Sequence, residues 1–588
     1  MKVTWKNIWP VAIDTLRRFP FAATCAVGAA ISAIATNHYR DALEEEMIRL
    51  LLTSMVGFLL FLVLQLFVER IKISPGRALL VKLAGSLILA NYYLFFTEID
   101  GGVPMTLRCT QIAFALALFI PLTPFPMRNK LLQFWQFGLS LLLRAGYSVA
   151  IALFLQLALS AALLSVEYLF GIDVSHRLYT DLWFLLTLML VPITFLAGIP
   201  DKEDTLSKVD SGPRWLDVTL RNAIIPTVLL YLIILYVYIG KIILMASWPK
   251  GGVAGYVIGF CALGVASYVL IAPDSVDTEA PFLKRRFHRF FWPLLIPLSA
   301  MLFMSVWRRI DEYGVTESRY AGVVLAIWLA TMAICFLSPL KRNLQILFVS
   351  LALTSLVCAF GPWSATNMSI QSQLGRLEKL LTEKGLLVEG KVATASGVSH
   401  ADEVEISQLF RYLDQRKTLS LVENWFEQPV EKETAESLVE AIGLQYSLNE
   451  YSSRWLNFYA KKDDTAHDIS GYDYMAKFSQ RNCNNGTASK KTYDNTMTIL
   501  LDYDAKELSV ERQGEIITKI NFAPQLEQLI KNHPNSSTRK DIPQEELFFE
   551  YQEQGARLLL EIQRVGFKKQ ASENLMKSIE ARVFVDLH

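Results

Sequence analysis

Residues 320–338 read YAGVVLAIWLATMAICFLS, nineteen positions without a single charge. At 1.5 Å per residue such a run makes a helix of about 28 Å, close to the roughly 30 Å hydrocarbon core of a bilayer. The next run, 344–361 (LQILFVSLALTSLVCAFG), repeats the pattern after a basic loop with Lys341 and Arg342. Working backwards, comparable runs lie at 20–37, 50–68, 78–96, 109–125, 146–166, 182–199, 222–240, 253–271 and 291–307. Residues 1–365 are therefore read as an α-helical polytopic membrane domain of about 11 transmembrane helices. The stretch Lys130–Phe170 is long for one crossing, and whether 130–170 crosses once or twice stays open. Lys130–Leu143 (KLLQFWQFGLSLLL) is expected to lie along the interface, its Trp and Phe at headgroup depth, before the chain turns in near Arg144. Nineteen residues precede the first run and no small-residue cleavage site follows, so it is read as a span and not a signal peptide.

Composition agrees. Of 588 residues 52% are hydrophobic and 12% aromatic, with a mean hydropathy of +0.30. Only 19% are charged, against about 25% in ordinary globular chains. The near-neutral total conceals a split. Residues 366–588 carry 27 basic and 34 acidic side chains, a net of −7, and residues 1–365 the remaining 30 and 22, a net of +8. A strongly basic nucleic-acid-binding chain is excluded. So is a disulfide-built domain, since Cys25, Cys109, Cys261, Cys335 and Cys358 lie in apolar runs and only Cys483 in the polar third.

Lys and Arg in alternate loops set the expected orientation. The amino terminus and the loops on its side hold 19, and the other set (Arg40, Arg49, Arg108, Arg177, Lys250, Arg308, Arg309, Arg319) holds 8. The amino terminus is thus expected in the cytoplasm, and eleven crossings place residues 366–588 outside it.

After Pro362 the composition becomes that of a soluble α+β domain. Ile370–Leu387 carries Ile370, Leu374, Leu377, Leu380 and Leu381 at the spacing of one helical face, and further helices are expected near Glu403–Gln415, Glu431–Ala441 and Pro524–Lys531. Alternation predicts strands at Thr496–Leu501, Glu507–Glu511, Glu515–Asn521, Leu547–Gln552, Ala556–Val565 and Ile579–Leu587, with a tight turn at Arg512–Gly514.

Ionisable groups at membrane depth are costly and usually functional, and none falls at the middle of a span. Lys82, Arg144 and Lys241 lie near boundaries and can snorkel. Gln156, Asn91 and Gln111 are read as helix–helix hydrogen-bonding groups. An ion-coupled pump is thereby demoted, while breaks expected around Pro192, Pro226 and Pro297 keep a carrier or flippase for an amphiphilic molecule in view. The sharpest local feature is Trp307–Tyr320, WRRIDEYGVTESRY. Its arginines run against the orientation bias, so they need compensation. One reading is a local ion-pair cluster with Asp311, Glu312 and Glu317, with Tyr320 as an interface anchor. The other is a site for an anionic headgroup or partner made by Arg308, Arg309, Tyr313, Thr316, Arg319 and Tyr320, because arginine offers a planar donor fork to phosphate or carboxylate. Gly314 would permit a turn with positive φ.

The run Arg309, Ile310, Tyr313, Gly314, Thr316, Arg319, Tyr320 resembles a signature of the bacterial polytopic membrane family known as domain of unknown function 4153. The Gly361-Pro362-Trp363-Ser364-Ala365 exit, the helix Ser369–Leu381 with Gln373 and Leu377, and the blocks Ile406–Leu413 and Ile469–Tyr474 are similar to further family blocks. The resemblance implies a bacterial inner-membrane protein and supplies no reaction, cofactor or catalytic residue.

The first loop on the far side carries Asp41, Glu44, Glu45 and Glu46, which loosely resembles the acidic first loop of membrane glycosyltransferases using lipid-linked donors. A base or metal ligand is the functional reading there, and a short solvated helix the plain one. In the polar third, His400, His467, His533 and His588 lack metal-ligand spacing, and Asp463, Asp464, His467 and Asp468 are read as a solvated loop. No cofactor or metal is expected. Trp425, Phe426, Trp455, Phe458 and Tyr459 are read as core, with a partner-binding patch as the alternative. The expected role is a non-catalytic envelope scaffold, sensor or accessory protein, partnered by the lipid bilayer, an anionic lipid headgroup or an envelope protein. A glycosyl- or headgroup-transferase is the alternative.

Overall fold

The computed structural model of the chain describes residues 5–39, 42–96, 102–124, 131–200, 213–245, 252–275, 281–337, 343–393, 398–426, 434–448, 455–460, 471–480, 489–493, 496–503, 505–532, 540–553, 556–569 and 574–587. They form two compact units, Met1–Lys379 with Tyr412–Ser420, and Leu380–Arg411 with Leu421–His588.

In the first unit a short amphipathic helix, α1 (Trp5–Arg18), leads into α2 (Pro20–His38), α3 (Ala42–Ile71), α4 (Pro75–Asn91) and α5 (Gly102–Phe119). The chain continues through α6 (Leu131–Phe170), α7 (His176–Ala197), α8 (Arg214–Met245) and α9 (Val253–Leu270). It ends with α10 (Phe282–Tyr313), α11 (Glu317–Leu337), α12 (Gln345–Ala359) and α13 (Ala365–Glu383). Among the described residues nine helices are long and apolar enough to cross a membrane. The 17 residues of α4 and 15 of α12 complete a set that follows the eleven apolar runs in order. Helix α2 is alanine-rich, and Ala22, Ala23, Ala26, Ala29, Ala30 and Ala33 are buried. Small side chains let helix backbones approach, and van der Waals contact is what lipid leaves available to drive helix association.

The structure corrects two expectations. Helix α6 is unbroken over 40 residues, so the 130–170 region is one helix with no turn at Arg144. Its first part packs against neighbouring helices and does not present its aromatic side chains on an open surface. Phe134, Trp135 and Phe137 are buried, Trp135 donates to the Val269 carbonyl at 3.1 Å, and Phe134 meets Phe348 edge-on at 5.4 Å. Periodicity could not separate a membrane-surface face from one buried by neighbouring helices. Nor are the helices broken at proline. Proline removes a backbone donor and crowds the carbonyl four residues back. Here π turns at Leu186–Leu190 and Leu220–Ile224 directly precede the turns holding Pro192 and Pro226, and Pro297 lies within continuous α10. The local widening of a π turn absorbs the misfit without ending the helix.

Polar pairs join helix ends that alternate passages bring to the same side. Arg18 forms a bidentate pair with Glu69 (2.9 and 2.8 Å) and donates to the carbonyls of Ile199 (2.8 Å) and Pro200 (3.1 Å). Lys284 pairs with Asp217 near that side, and His38 with Asp181 (2.7 Å) on the opposite one.

The second unit is α+β. Helix α14 (His400–Asp414) and α15 (Ala435–Ala441), capped by Thr434 and Ser437, precede most of the strands. The part of the Glu431–Ala441 expectation that covers 431–433 lies outside the described residues. A hairpin, β1 (Leu387–Val388) and β2 (Lys391–Val392), stands alone. The remaining strands are β3 (Trp455–Ala460), β4 (Tyr474–Gln480), β5 (Ser489–Tyr493), β6 (Met497–Asp502), β7 (Glu507–Arg512) and β8 (Glu515–Asn521), then β9 (Lys540–Ile542), β10 (Phe548–Glu553), β11 (Ala556–Lys569) and β12 (Asn574–Leu587). One sheet runs β4-β12-β11-β3-β9 with β10 also on β11, and the other is the meander β5-β6-β7-β8. Gln513 (φ 51°) and Gly514 (φ 90°) form the two-residue loop between β7 and β8, the left-handed pair such a hairpin requires. Phe458, Phe478, Phe522 and Phe567 belong to a shared core with Leu526 and Leu529 of α16 (Ala523–Asn532).

Candidate anion site

Helix α10 ends at Tyr313 and α11 begins at Glu317, so three residues reverse the chain. Gly314 sits at φ 69° and ψ 177°, a conformation essentially reserved for glycine. A side chain there would have its Cβ 2.8 Å from Gln373 Nε2 and 3.2 Å from Ser372 Oγ, both on α13. Gln373, itself buried, donates to the carbonyls of Tyr313 (3.1 Å) and Val315 (2.8 Å), and the Val315 amide donates to Ser372 Oγ (2.8 Å). Arg319 Nη1 donates to the carbonyls of Tyr313 (2.9 Å) and Gly314 (2.7 Å). Carbonyls at a helix C-terminus lack intrahelical partners and attract cations, so α13 and Arg319 together satisfy the end of α10.

Two guanidinium groups lie over the Tyr313 ring, Arg319 at 5.5 Å and Arg376 at 5.6 Å from its centroid. Arg308 and Arg309 are exposed on the last turns of α10. Among the described residues no salt bridge joins Arg308, Arg309 or Arg319 to Asp311, Glu312 or Glu317. Thr316 meets Ser318 at 3.3 Å. Tyr320 donates to the Trp363 carbonyl at 2.6 Å, while Trp363 Nε1 donates to the Val357 carbonyl at 3.1 Å, which fixes the Gly361–Ala365 exit from α12.

The acids are engaged elsewhere. Glu317 takes a bidentate pair from Arg416 (2.6 and 2.9 Å), with both side chains nearly buried. The Arg416 guanidinium stacks 3.4 Å from the Tyr412 ring centroid. Burial and the Glu317 charge push the Tyr412 phenol far above its ordinary range. The next residue, Lys417, pairs with Glu45, which also accepts from Arg49 (3.1 Å). Glu46 accepts from Arg49 (3.3 Å) and from Tyr93 (2.9 Å). Glu44 is exposed, and Asp41 lies outside the described residues. Of the residues singled out in the sequence, Tyr313 and Arg319 converge, Arg309 stands near Arg319, Arg308 is exposed with no contact to them among the described residues, and Tyr320 holds the neighbouring turn.

Ser372, Gln373, Arg376 and Arg416 were not singled out for the site. The first three had a signal: with Ser369 they form a polar stripe on α13 beside the face of Ile370, Leu374 and Leu377. Arg416 had none, because it is 99 positions from its partner.

The family described as Domain of unknown function (DUF4153) matches residues 22–383. The chain belongs to that family. The DUF4153 region includes the arginine turn and the stretch of α13 that holds it, but not Tyr412–Ser420. An uncharacterized protein of Pasteurella multocida is 28% identical over 295 residues, an alignment covering 47% of each chain. The chain thus spans about half the length of that curated relative. No solved structure matches.

In the second unit His400 pairs with Glu403 (3.3 Å), and Asp463, Asp464, His467 and Asp468 lie outside the described residues. Trp425 and Phe426 are half-buried, and Phe458 is fully buried. Tyr472–Tyr474 seats a strand start, the Asp473 amide donating to the Val585 carbonyl at 2.9 Å.

Proposed function

We propose that this membrane protein is a non-catalytic scaffold, sensor or accessory protein of a bacterial inner membrane, which reads an anionic group at the turn between α10 and α11. On this reading the turn faces outward and the α+β domain, by itself, meets a partner or envelope polymer outside the cytoplasm. The observation that carries it is the guanidinium cluster itself: Arg319 and Arg376 both lie over an exposed aromatic ring, and Arg309 stands near Arg319 with no ion pair among the described residues. Planar guanidinium groups suit phosphate or carboxylate, and an anion would relieve the repulsion that Arg309 and Arg376 exert on Arg319. Catalysis is disfavoured because Glu317, Glu45 and Glu46 are held by Arg416, Lys417, Arg49 and Tyr93, whereas a general base must be free to take a proton.

The test is recovery of the full chain in mild detergent and identification of what travels with it. Arg309→Ala should lose the anionic companion while keeping the folded yield. Equal recovery of that companion by both proteins refutes the site, and a reporter at His588 active only in the cytosol refutes its sidedness. A lipid-linked transferase has one observation in its favour. Consecutive residues Arg416 and Lys417 hold the acids of the arginine turn and of the α3 start, and transferase activity abolished by Glu45→Gln would support it.

A further inference from the structure

Beneath the arginine turn lies a cavity of about 650 Å³ among α5, α6, α9, α11 and α12, within the 300–1,000 Å³ typical of ligand pockets. Its wall is apolar over most of its extent, and its polar groups include Tyr320, Ser355 and Gln111. Along α11 the lining runs from Tyr320 to Leu329, nine residues or about 13 Å, close to the roughly 15 Å depth of one hydrocarbon leaflet.

Two arginines stand at the Tyr320 end. Arg319 immediately precedes Tyr320, and its Nε and Nη2 make no hydrogen bond among the described residues. On α5, Arg108 lies one turn beyond Gln111, donating to the Ala359 carbonyl (3.1 Å) and lying 5.8 Å from the Phe360 ring centroid. Ser355 Oγ donates to the Gln111 carbonyl (2.9 Å), so that lip of the cavity is already satisfied and does not call for a polar ligand inside.

Resting on the anion-reading role proposed above, we infer that this cavity holds one acyl chain of an anionic glycerophospholipid whose phosphate lies between Arg319 and Arg108. A lipid tail gains little on leaving the bilayer for an apolar wall, because both are equally dry. Selectivity therefore comes from the headgroup, and the cavity fixes where that headgroup stands. The two arginines supply the charge complement, and the apolar wall below them fits a tail and excludes a free anion.

The test is native mass spectrometry of the full chain released from nanodiscs of equal dioleoyl-phosphatidylglycerol and dioleoyl-phosphatidylcholine. The natural chain should retain one lipid, phosphatidylglycerol favoured about tenfold, because both headgroups offer the phosphate but phosphatidylcholine also brings a choline cation that the arginines repel, a difference of about 1.4 kcal/mol. Ala262 and Ala321 line the cavity with exposed side chains, so Ala262→Phe and Ala321→Phe add bulk without entering packed core. Each should cut the retained lipid at least about tenfold, the loss when an occupied pocket is filled. Arg108→Gln should keep a lipid and lose the preference. Unchanged retention in both phenylalanine variants overturns the tail placement even if the preference stands. Loss of lipid in those variants with no headgroup preference in the natural chain supports the tail placement and sinks the anion reading. A natural chain that retains no lipid overturns the inference outright.

Discussion

Arg416 and Lys417 are adjacent, each pairs with a carboxylate distant in sequence, and they differ mainly in burial. In the Arg416–Glu317 pair the side chains are 9% and 12% exposed, and in the Lys417–Glu45 pair 52% and 45%. Removing one partner of a buried pair leaves an uncompensated charge and costs about 3–5 kcal/mol, whereas exposed pairs contribute about 0–1 kcal/mol. Arg416→Met should therefore destabilise the chain by about 3 kcal/mol or more, and Lys417→Met by less than about 1 kcal/mol. Heating the detergent-purified full chain and following the surviving monodisperse fraction should place Arg416→Met roughly 4 °C or more below the natural protein, with Lys417→Met nearly unchanged. Glu317→Met added to Arg416→Met should recover much of the loss, since replacing both members of a buried pair by apolar groups is often close to neutral. Equal shifts for Arg416→Met and Lys417→Met, or no recovery in the double variant, would refute the argument from burial.

Three further outcomes can be checked. Gly314→Ala should cost about 1–3 kcal/mol through backbone strain alone, more with the clash against Gln373, and should be read as lowered thermal stability. Arg319→Ala should unsettle the turn it holds by two carbonyl contacts, whereas Arg309→Ala should leave stability within about 0.5 kcal/mol; an equal loss of folded protein in both would contradict that division. In the second unit, hydrogen bonds from Lys384 and Ser399 hold the Asp402 carboxyl below the usual range. A depressed carboxyl contributes stability above its unfolded pKa of about 3.9 and loses it as pH falls through the folded value. Asp402→Asn should thus melt earlier at neutral pH, the two melting curves should converge only below about pH 4, and convergence near pH 6 would argue against the pair.

The membrane domain was legible because its signal is local. An uncharged run of bilayer length needs no partner to be recognised, and each of the eleven runs became a helix. The Gln513–Gly514 hairpin and strands β6–β8, β10 and β11 were equally plain, being alternating segments next to recognisable turns. Strands β3, β4, β5 and β9 were missed, as was the short β1–β2 hairpin. Trp455–Ala460 shows little alternation, and β5 (SKKTY) is an edge strand without an apolar face, so only pairing in the sheet reveals them. The turn at Gly314 could be read from its glycine, but its compensation could not. Glu317 was expected to answer the nearby arginines and instead faces Arg416, since burial beside Tyr412 selects a partner that sequence distance conceals.

The clasp at Arg18 bears on how the chain is made. Its carboxylate partner, Glu69, emerges from the ribosome 51 residues after it, whereas the carbonyl of Ile199 follows only 181 residues after it. During synthesis the first hairpin of spans can thus close early on the Glu69 pair, and the bonds to the Ile199 and Pro200 carbonyls form once the sixth span arrives. Arrival of that span completes the grip, so a single side chain records whether the amino-terminal half has been assembled in order.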